Sequence, residues 1–327
     1  MNLFLSKLWP KWDQGLFVSV GLDTDPKKIP DSILQAHRNR ADRMTDFTNQ
    51  IIDATCRKVC AFKPNRAFYI NSRDDSAENL LGWTIDHARA VASDVPIILD
   101  AKYGDIGKTN GAEGGVSLER YVAEAFERYQ ADAVTVHSYL GPEAMKPFLD
   151  CREKGIIVLC RTSNKGAERY QDCLRITTDS ELAELMPKHD KNLEIELGWR
   201  HLDLATTAMP YYQFVALDVA RRWNYNGNCA LVVGATAKKQ LAAVRRLVPD
   251  LPLLLPGVGV QGATIDDVVP TGLDRNGQGI IINASSSILY AFEKEKDISR
   301  RTDFASCAAT ELGLMNEMVK QRRPMSR

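Results

Sequence analysis

The chain has no apolar run near the ~18 residues that suggest a membrane span, and no excess of charge. Its 42 basic and 42 acidic residues leave a formal net charge of +0. That removes the global electrostatic footprint expected of a nucleic-acid or membrane-surface binder, so any affinity for an anion has to be local. Metal-type cysteine spacing is also missing. Cys56, Cys60, Cys151, Cys160, Cys173, Cys229 and Cys307 are scattered and odd in number. Cys56 and Cys60 lie four apart without a second pair at zinc spacing. These read as buried, reduced thiols rather than a disulfide framework or a metal site. Residues 1–12 are interrupted by Lys7, Pro10 and Lys11 and carry no signal-peptide core. No internal repeat and no low-complexity segment stands out. The expectation is a soluble cytoplasmic protein with neither nucleic acid nor membrane as partner.

Short apolar runs are what the sequence has in number. Eight recur, at residues 17–22, 59–62, 96–99, 133–136, 156–160, 230–233, 251–255 and 279–282. Stretches long enough for helices separate most of them, including 31–57, 117–130, 141–154 and 235–247. Continuously apolar strands alternating with helices imply a parallel sheet covered by helices. Eight such units suggest an α/β fold of the (β/α)8 TIM barrel class, a single domain over 1–298. Residues 176–209 break the rhythm with Glu181, Glu184, Lys188, Asp190, Lys191, Glu194 and Glu196. They read as an insertion after strand five. Residues 299–327 read as a C-terminal helix, about 304–320, and a basic tail.

Barrel function sits where strands end and βα loops begin. The candidate strands run into Asp23, Lys63, Asp100 with Lys102, His137, Arg161 with Ser163, Pro256 with Gln261, and Asn283 with Ser285. Alternation along a strand turns Asp100 and Lys102 to the same side, the barrel mouth. A carboxylate beside an ammonium keeps both ionised, and Asp105 can add a second carboxylate from the loop. An isolated Asp-x-Lys is most simply a solvated ion pair. Here Asp23 and Lys63 end the two preceding strands, and converging charges of alternating sign are hard to explain by solvation alone.

Residues 257–262 (GVGVQG) match a dinucleotide fingerprint, but far from the first strand of a βαβ unit and without the acidic residue at the end of the next strand. They read better as a glycine-rich loop after strand seven, where barrels hold phosphate on free backbone N–H groups. Thr264 reads as the cap of the helix that follows.

Together these residues resemble the orotidine 5′-phosphate decarboxylase family, in its longer bacterial branch. The matching pieces are 20–23 (VGLD), 62–65 (FKPN), 98–107 (ILDAKYGDIG) with Thr109, 159–164 (LCRTSN), 231–236 (LVVGAT), 256–262 (PGVGVQG) and 281–285 (IINAS). They fall in the family's order over about 12–295. The D-x-K-x-x-D element alone is shared with other phosphosugar barrels; the set is far more specific.

The resemblance implies loss of CO2 from orotidine 5′-phosphate to give UMP, with no cofactor and no metal. It implies a catalytic set of Lys63, Asp100, Lys102 and Asp105, with Lys102 protonating C6 and Asp100 set against the scissile carboxylate. It implies substrate contacts from Asp23, Ile106, Thr109, Ser163, Pro256, Gln261, Ser285, Ser286 and Lys165. Asp23 and Lys63 would hold the ribose, Ser163 the pyrimidine edge, and Gln261 with the backbone after strand eight the phosphate. It also implies a homodimer in which Asp105, Ile106 and Thr109 reach the neighbouring subunit's site. The chain departs from the family pattern twice. Ser286 stands where an Arg usually grips the phosphate, and Lys165 stands where a Pro usually follows Ser-Asn. The expectation is that Lys165 partly replaces the missing cation. Two other readings fit the same residues: another phosphosugar decarboxylase or aldolase, and a non-catalytic nucleotide-phosphate binder.

Overall fold

The computed structural model describes residues 2–70, 76–110, 120–186, 191–259, 262–295 and 301–323. The first five strands are β1 (Val18–Gly21), β2 (Ala61–Lys63), β3 (Ile98–Tyr103), β4 (Ala133–Val136) and β5 (Gly155–Arg161). Next come β6 (Leu174–Thr178), β7 (Arg200–His201) and β8 (Thr206–Pro210), and then β9 (Cys229–Val233), β10 (Leu253–Pro256) and β11 (Ile280–Ala284). Eight of them form one parallel sheet in the order β2-β1-β11-β10-β9-β5-β4-β3. Its two ends meet. Phe62 pairs with Ile97 and Asn65 with Asp100 as parallel bridges, and the Asp100 N–H donates to the Pro64 carbonyl at 2.9 Å. The sheet is thus closed into the expected barrel. Its strands are apolar on both faces because side chains fill the inside and helices cover the outside.

The apolar runs mark the strands to within a few residues. Helix boundaries shift more. The stretch 31–57 forms two helices, Asp31–Ala36 and Arg40–Thr55, and Asn39 caps the second by accepting from the Asp42 N–H. The stretch 117–130 is helical from Tyr121, with a π-turn over Glu124–Arg128, and residues 117–119 lie outside the described residues. Thr264 caps Ile265–Gly272 in a reciprocal capping box with Asp267.

The C-terminal helix, Phe304–Arg322, lies on the barrel wall. Phe304, Ala308, Leu312, Met315 and Val319 belong to the main core. Asn316 Oδ1 accepts from the N–H groups of Phe17 and Val18, and its Nδ2 donates to the Lys58 carbonyl, tying the helix to the start of β1.

The segment between β5 and β9 is structured. β6, β8 and β7 make a small antiparallel sheet. Leu182, Leu185, Met186, Leu197, Trp199, Met209 and Leu217 form a second, separate core beneath it. Among the described residues, Glu181, Glu184 and Glu196 pair at its surface with Arg175, Arg222 and Arg246.

Candidate active site

The C-terminal ends of the strands open into a cavity of about 1070 Å³. Lys63, Asp100 and Lys102 lie at its floor, with Thr135 and His137 from the β4 end, Ser163 after β5 and Pro256 ending β10. Lys63 Nζ donates to Asp100 Oδ2 at 2.8 Å, and Lys102 Nζ donates to Asp100 Oδ1 at 2.5 Å. Lys63 is 3% exposed and Asp100 8% exposed. Burial by itself would raise the Asp100 carboxyl, but the two ammonium groups outweigh it and hold the group well below the ordinary carboxylate range. Burial would likewise lower Lys63, but Asp100 and Asp23 more than offset it and its pKa is raised. Lys63, Asp100 and Lys102 therefore form one hydrogen-bonded row facing the cavity.

Asp100 and Lys102 converge, but not through the simple alternation of a pleated strand. Leu99 pairs with Val134 and Tyr103 with Val136, so three residues of β3 stand opposite the single residue Thr135. Lys102 takes up the excess with φ +53, a left-handed conformation that non-glycine residues seldom adopt. Its side chain is swung back over Asp100 by this bulge.

Beside the row, where β1 lies between β2 and β11, Ser285 Oγ donates to Asp23 Oδ2 at 2.7 Å and accepts from Asn283 Nδ2 at 3.3 Å. Asp23 Oδ1 is buried with no hydrogen-bond partner among the described residues, as is the Ser287 hydroxyl. Buried polar atoms of this kind commonly await a ligand or water. Ser286 opens the short helical turn after β11.

The loop after β10 is tighter than an open phosphate nest. Gly257 and Gly259 have φ +92 and +144. The N–H groups of Gly259, Gly262 and Ala263 bond within the loop, to the Ala263, Gly259 and Gly257 carbonyls. The expectation of free N–H groups therefore does not hold for these three. Gln261 lies outside the described residues.

Asp105, Ile106 and Thr109 do not line the cavity. They follow β3 on the way into the helical turn Gly107–Asn110, where Asp105 Oδ1 accepts from the Ile106 N–H and Ile106 is 56% exposed. Lys165 is exposed on the loop after β5 and also lies outside the cavity lining.

Sequence reading missed several lining residues. His137 stands at a strand end in the sequence, but nothing there assigns it a role. Burial, and then the charge of Lys102, lower its pKa, which favours the neutral imidazole. Thr135 was hidden in an apolar run. Tyr170, Cys173 and Tyr211 come from the segment around the small antiparallel sheet, which forms one wall of the cavity. The wall is anchored by Arg161, whose Nε and Nη2 both donate to Asp172 at 3.0 Å. Buried Cys160 and Cys229 have thiols pushed up by burial, Cys229 to about 12, as inert core residues do.

Among the described residues no cluster of three or more His, Cys, Asp or Glu suits a metal ion, and no helix is long and apolar enough to cross a membrane.

A family model described as orotidine 5'-phosphate decarboxylase / HUMPS family matches residues 18–300. An orotidine 5'-phosphate decarboxylase of Cellvibrio japonicus is 39% identical over 306 residues, covering 93% of each chain. One of Ralstonia pickettii is 38% identical over 321 residues, 98% of this chain and 99% of the other. The solved structure of Leishmania donovani OMP decarboxylase superposes with a TM-score of 0.69 at 28% identity, covering 98% of this chain and 99% of that one. With a closed eight-stranded barrel and a match that runs through all its strands, this chain belongs to the orotidine 5′-phosphate decarboxylase / HUMPS family.

Proposed function

We propose that this chain converts orotidine 5′-phosphate to UMP and CO2, the decarboxylation step of de novo pyrimidine synthesis, in the cytoplasm. The observation that carries the reading is the Lys63–Asp100–Lys102 row at the floor of a cavity large enough for a nucleotide. Breaking the C6–carboxyl bond releases CO2 and leaves its electron pair on C6. Lys102 stabilises that developing anion as a positioned ammonium, then transfers a proton to C6 and is reprotonated from solvent. Asp100 holds the ammonium in place and sets a negative charge where the substrate carboxylate lies. Side chains supply both proton and charge, so the chemistry asks for no redox or electron-sink cofactor.

Asp23, with its unpartnered buried oxygen, and Lys63 hold the ribose hydroxyls in this reading. Ser163 and Pro256 meet the pyrimidine. Gln261, Ser285 and Ser286 form the phosphate end, with Lys165 on the loop after β5 as its cation. The binding energy of the remote phosphate serves to organise the site around the reacting carbon. The chain acts as a homodimer in which Asp105, Ile106 and Thr109 complete the partner's site. The exposure of Ile106 supports this.

The test is the absorbance change on adding orotidine 5′-phosphate, with Lys102→Ala as the control. Turnover should be lost in the variant. No decarboxylation by the unsubstituted protein would overturn the reading. Turnover abolished by EDTA would favour instead a metal-dependent phosphosugar lyase of the same fold.

A further inference from the structure

Nothing in the reaction as described uses Thr135, yet its hydroxyl bonds to two members of the charged row. It is 1% exposed and is the single β4 residue opposite the three-residue bulge of β3. A regular ladder would take the Lys102 N–H to a β4 carbonyl. Instead that N–H donates to Thr135 Oγ1 at 2.9 Å. The same hydroxyl donates its proton to Asp100 Oδ1 at 2.9 Å. One oxygen thus accepts from the backbone of one member of the row and donates to the side chain of the other.

We propose that Thr135 is a positioning residue for the decarboxylation: its hydroxyl fixes the left-handed turn at Lys102 and the rotamer of Asp100 together, and so sets where the Lys102 ammonium stands relative to the reacting carbon. The inference rests on the decarboxylase reading above.

The physical case has three parts. A left-handed non-glycine residue in a strand is strained and persists only where its surroundings over-determine it. The Thr135 hydroxyl is one such determinant, since it satisfies the amide that the bulge removes from the ladder. Asp100 Oδ1 accepts from both Lys102 Nζ and Thr135 Oγ1, which fixes the carboxylate plane. A threonine suits the task because its β-branched side chain has few rotamers and so presents the hydroxyl in one direction. Valine has nearly the same shape without the hydroxyl, so it removes both bonds and little else.

The experiment compares Thr135→Val and Thr135→Ser with the unsubstituted enzyme in steady-state decarboxylation, alongside UMP binding by calorimetry. Thr135→Val should lower kcat about ten- to a hundredfold, the scale of a lost hydrogen bond to a charged group. KM and the UMP Kd should stay within about threefold, because the ribose and phosphate ends are untouched. Thr135→Ser restores the hydroxyl and should recover most of kcat. Thr135→Ala serves in place of valine if that variant does not fold. A kcat within about threefold of the unsubstituted enzyme in the hydroxyl-free variant would overturn the proposal. So would equal losses in the Val and Ser variants, or a loss of UMP affinity matching the loss of kcat. Absence of turnover in the unsubstituted protein would instead refute the decarboxylase reading itself.

Discussion

Ser285 Oγ donates to Asp23 Oδ2 at 2.7 Å, joining the ends of the first and last strands of the barrel across 262 residues of sequence. The pairing of β1 with β11 brings them together, with Val20 opposite Ala284. Gly21 leaves the room: a methyl group there would overlap Ser285 Oγ. Gly21→Ala should therefore displace Ser285 and disturb Asp23, while Ser285→Ala removes the hydrogen bond alone. Both should raise KM and weaken UMP binding more than they lower kcat, the alanine at Gly21 more strongly. Steady-state kinetics with UMP inhibition checks this; a fall in kcat at constant KM would contradict it.

The phosphate end offers a double-mutant test. Ser286→Arg restores a charge-assisted contact and should tighten UMP binding by about 1.5–3 kcal/mol. Lys165→Ala should weaken binding in the unsubstituted protein and have a smaller effect in the Ser286→Arg background, because one cation then covers for the other. Strictly additive changes in calorimetric Kd would mean that Lys165 has no part in holding the phosphate.

The dimer assignment makes a mixing prediction. Lys102→Ala and Asp105→Asn are each expected to be inactive. If Asp105 serves the partner's site, subunit exchange makes half the dimers mixed, each with one intact site of two. About a quarter of full activity should return on mixing. No recovery after demonstrated exchange would place Asp105 in its own subunit's site.

The charged row also predicts a pH response of stability. Lys63 and Lys102 hold the Asp100 carboxyl below its unfolded value of ~3.9, so its stabilising contribution is complete above that pH and is lost as pH falls through the depressed value. Lys63 is raised above ~10.4, so its contribution is complete below that pH and is lost as pH rises through the raised value. Asp100→Asn should therefore lower Tm throughout pH 5–9, with the gap closing in strong acid. Removing one partner of a buried pair costs about 3–5 kcal/mol. Thermal unfolding across that range checks it, and an unchanged Tm between pH 5 and 9 would count against the row as described.

Away from the site, Arg245 is 7% exposed and donates to the carbonyls of Gly272, Val248, Pro249, Leu251 and Gly279. It clamps the end of one barrel helix to the loops that lead into β10 and β11. A lysine has three donors on a single nitrogen and cannot span these acceptors. Arg245→Lys should cost at least about 3 kcal/mol, since buried carbonyls lose partners. Denaturant unfolding measures it, with kcat expected to stay unchanged in the folded fraction.

The sequence by itself determined the barrel and the identity of its charged strand ends. Buried parallel strands are apolar on both faces, so they stand out as short runs whatever surrounds them, and the residues just beyond them have to be the mouth. That is why Lys63, Asp100, Lys102, Ser163 and Pro256 were legible together. The antiparallel sheet of β6, β7 and β8 was not, because its outer face carries charges and half-exposed side chains that blur the alternation. Only the tertiary structure decided how Asp100 and Lys102 meet. Periodicity assumes a regular pleat, whereas register between β3 and β4 is set by packing across the barrel, and its three-against-one mismatch puts Lys102 in a left-handed turn. Thr135 was invisible for the same reason: in sequence it is a small residue in an apolar run, and only the bulge opposite gives its hydroxyl two partners.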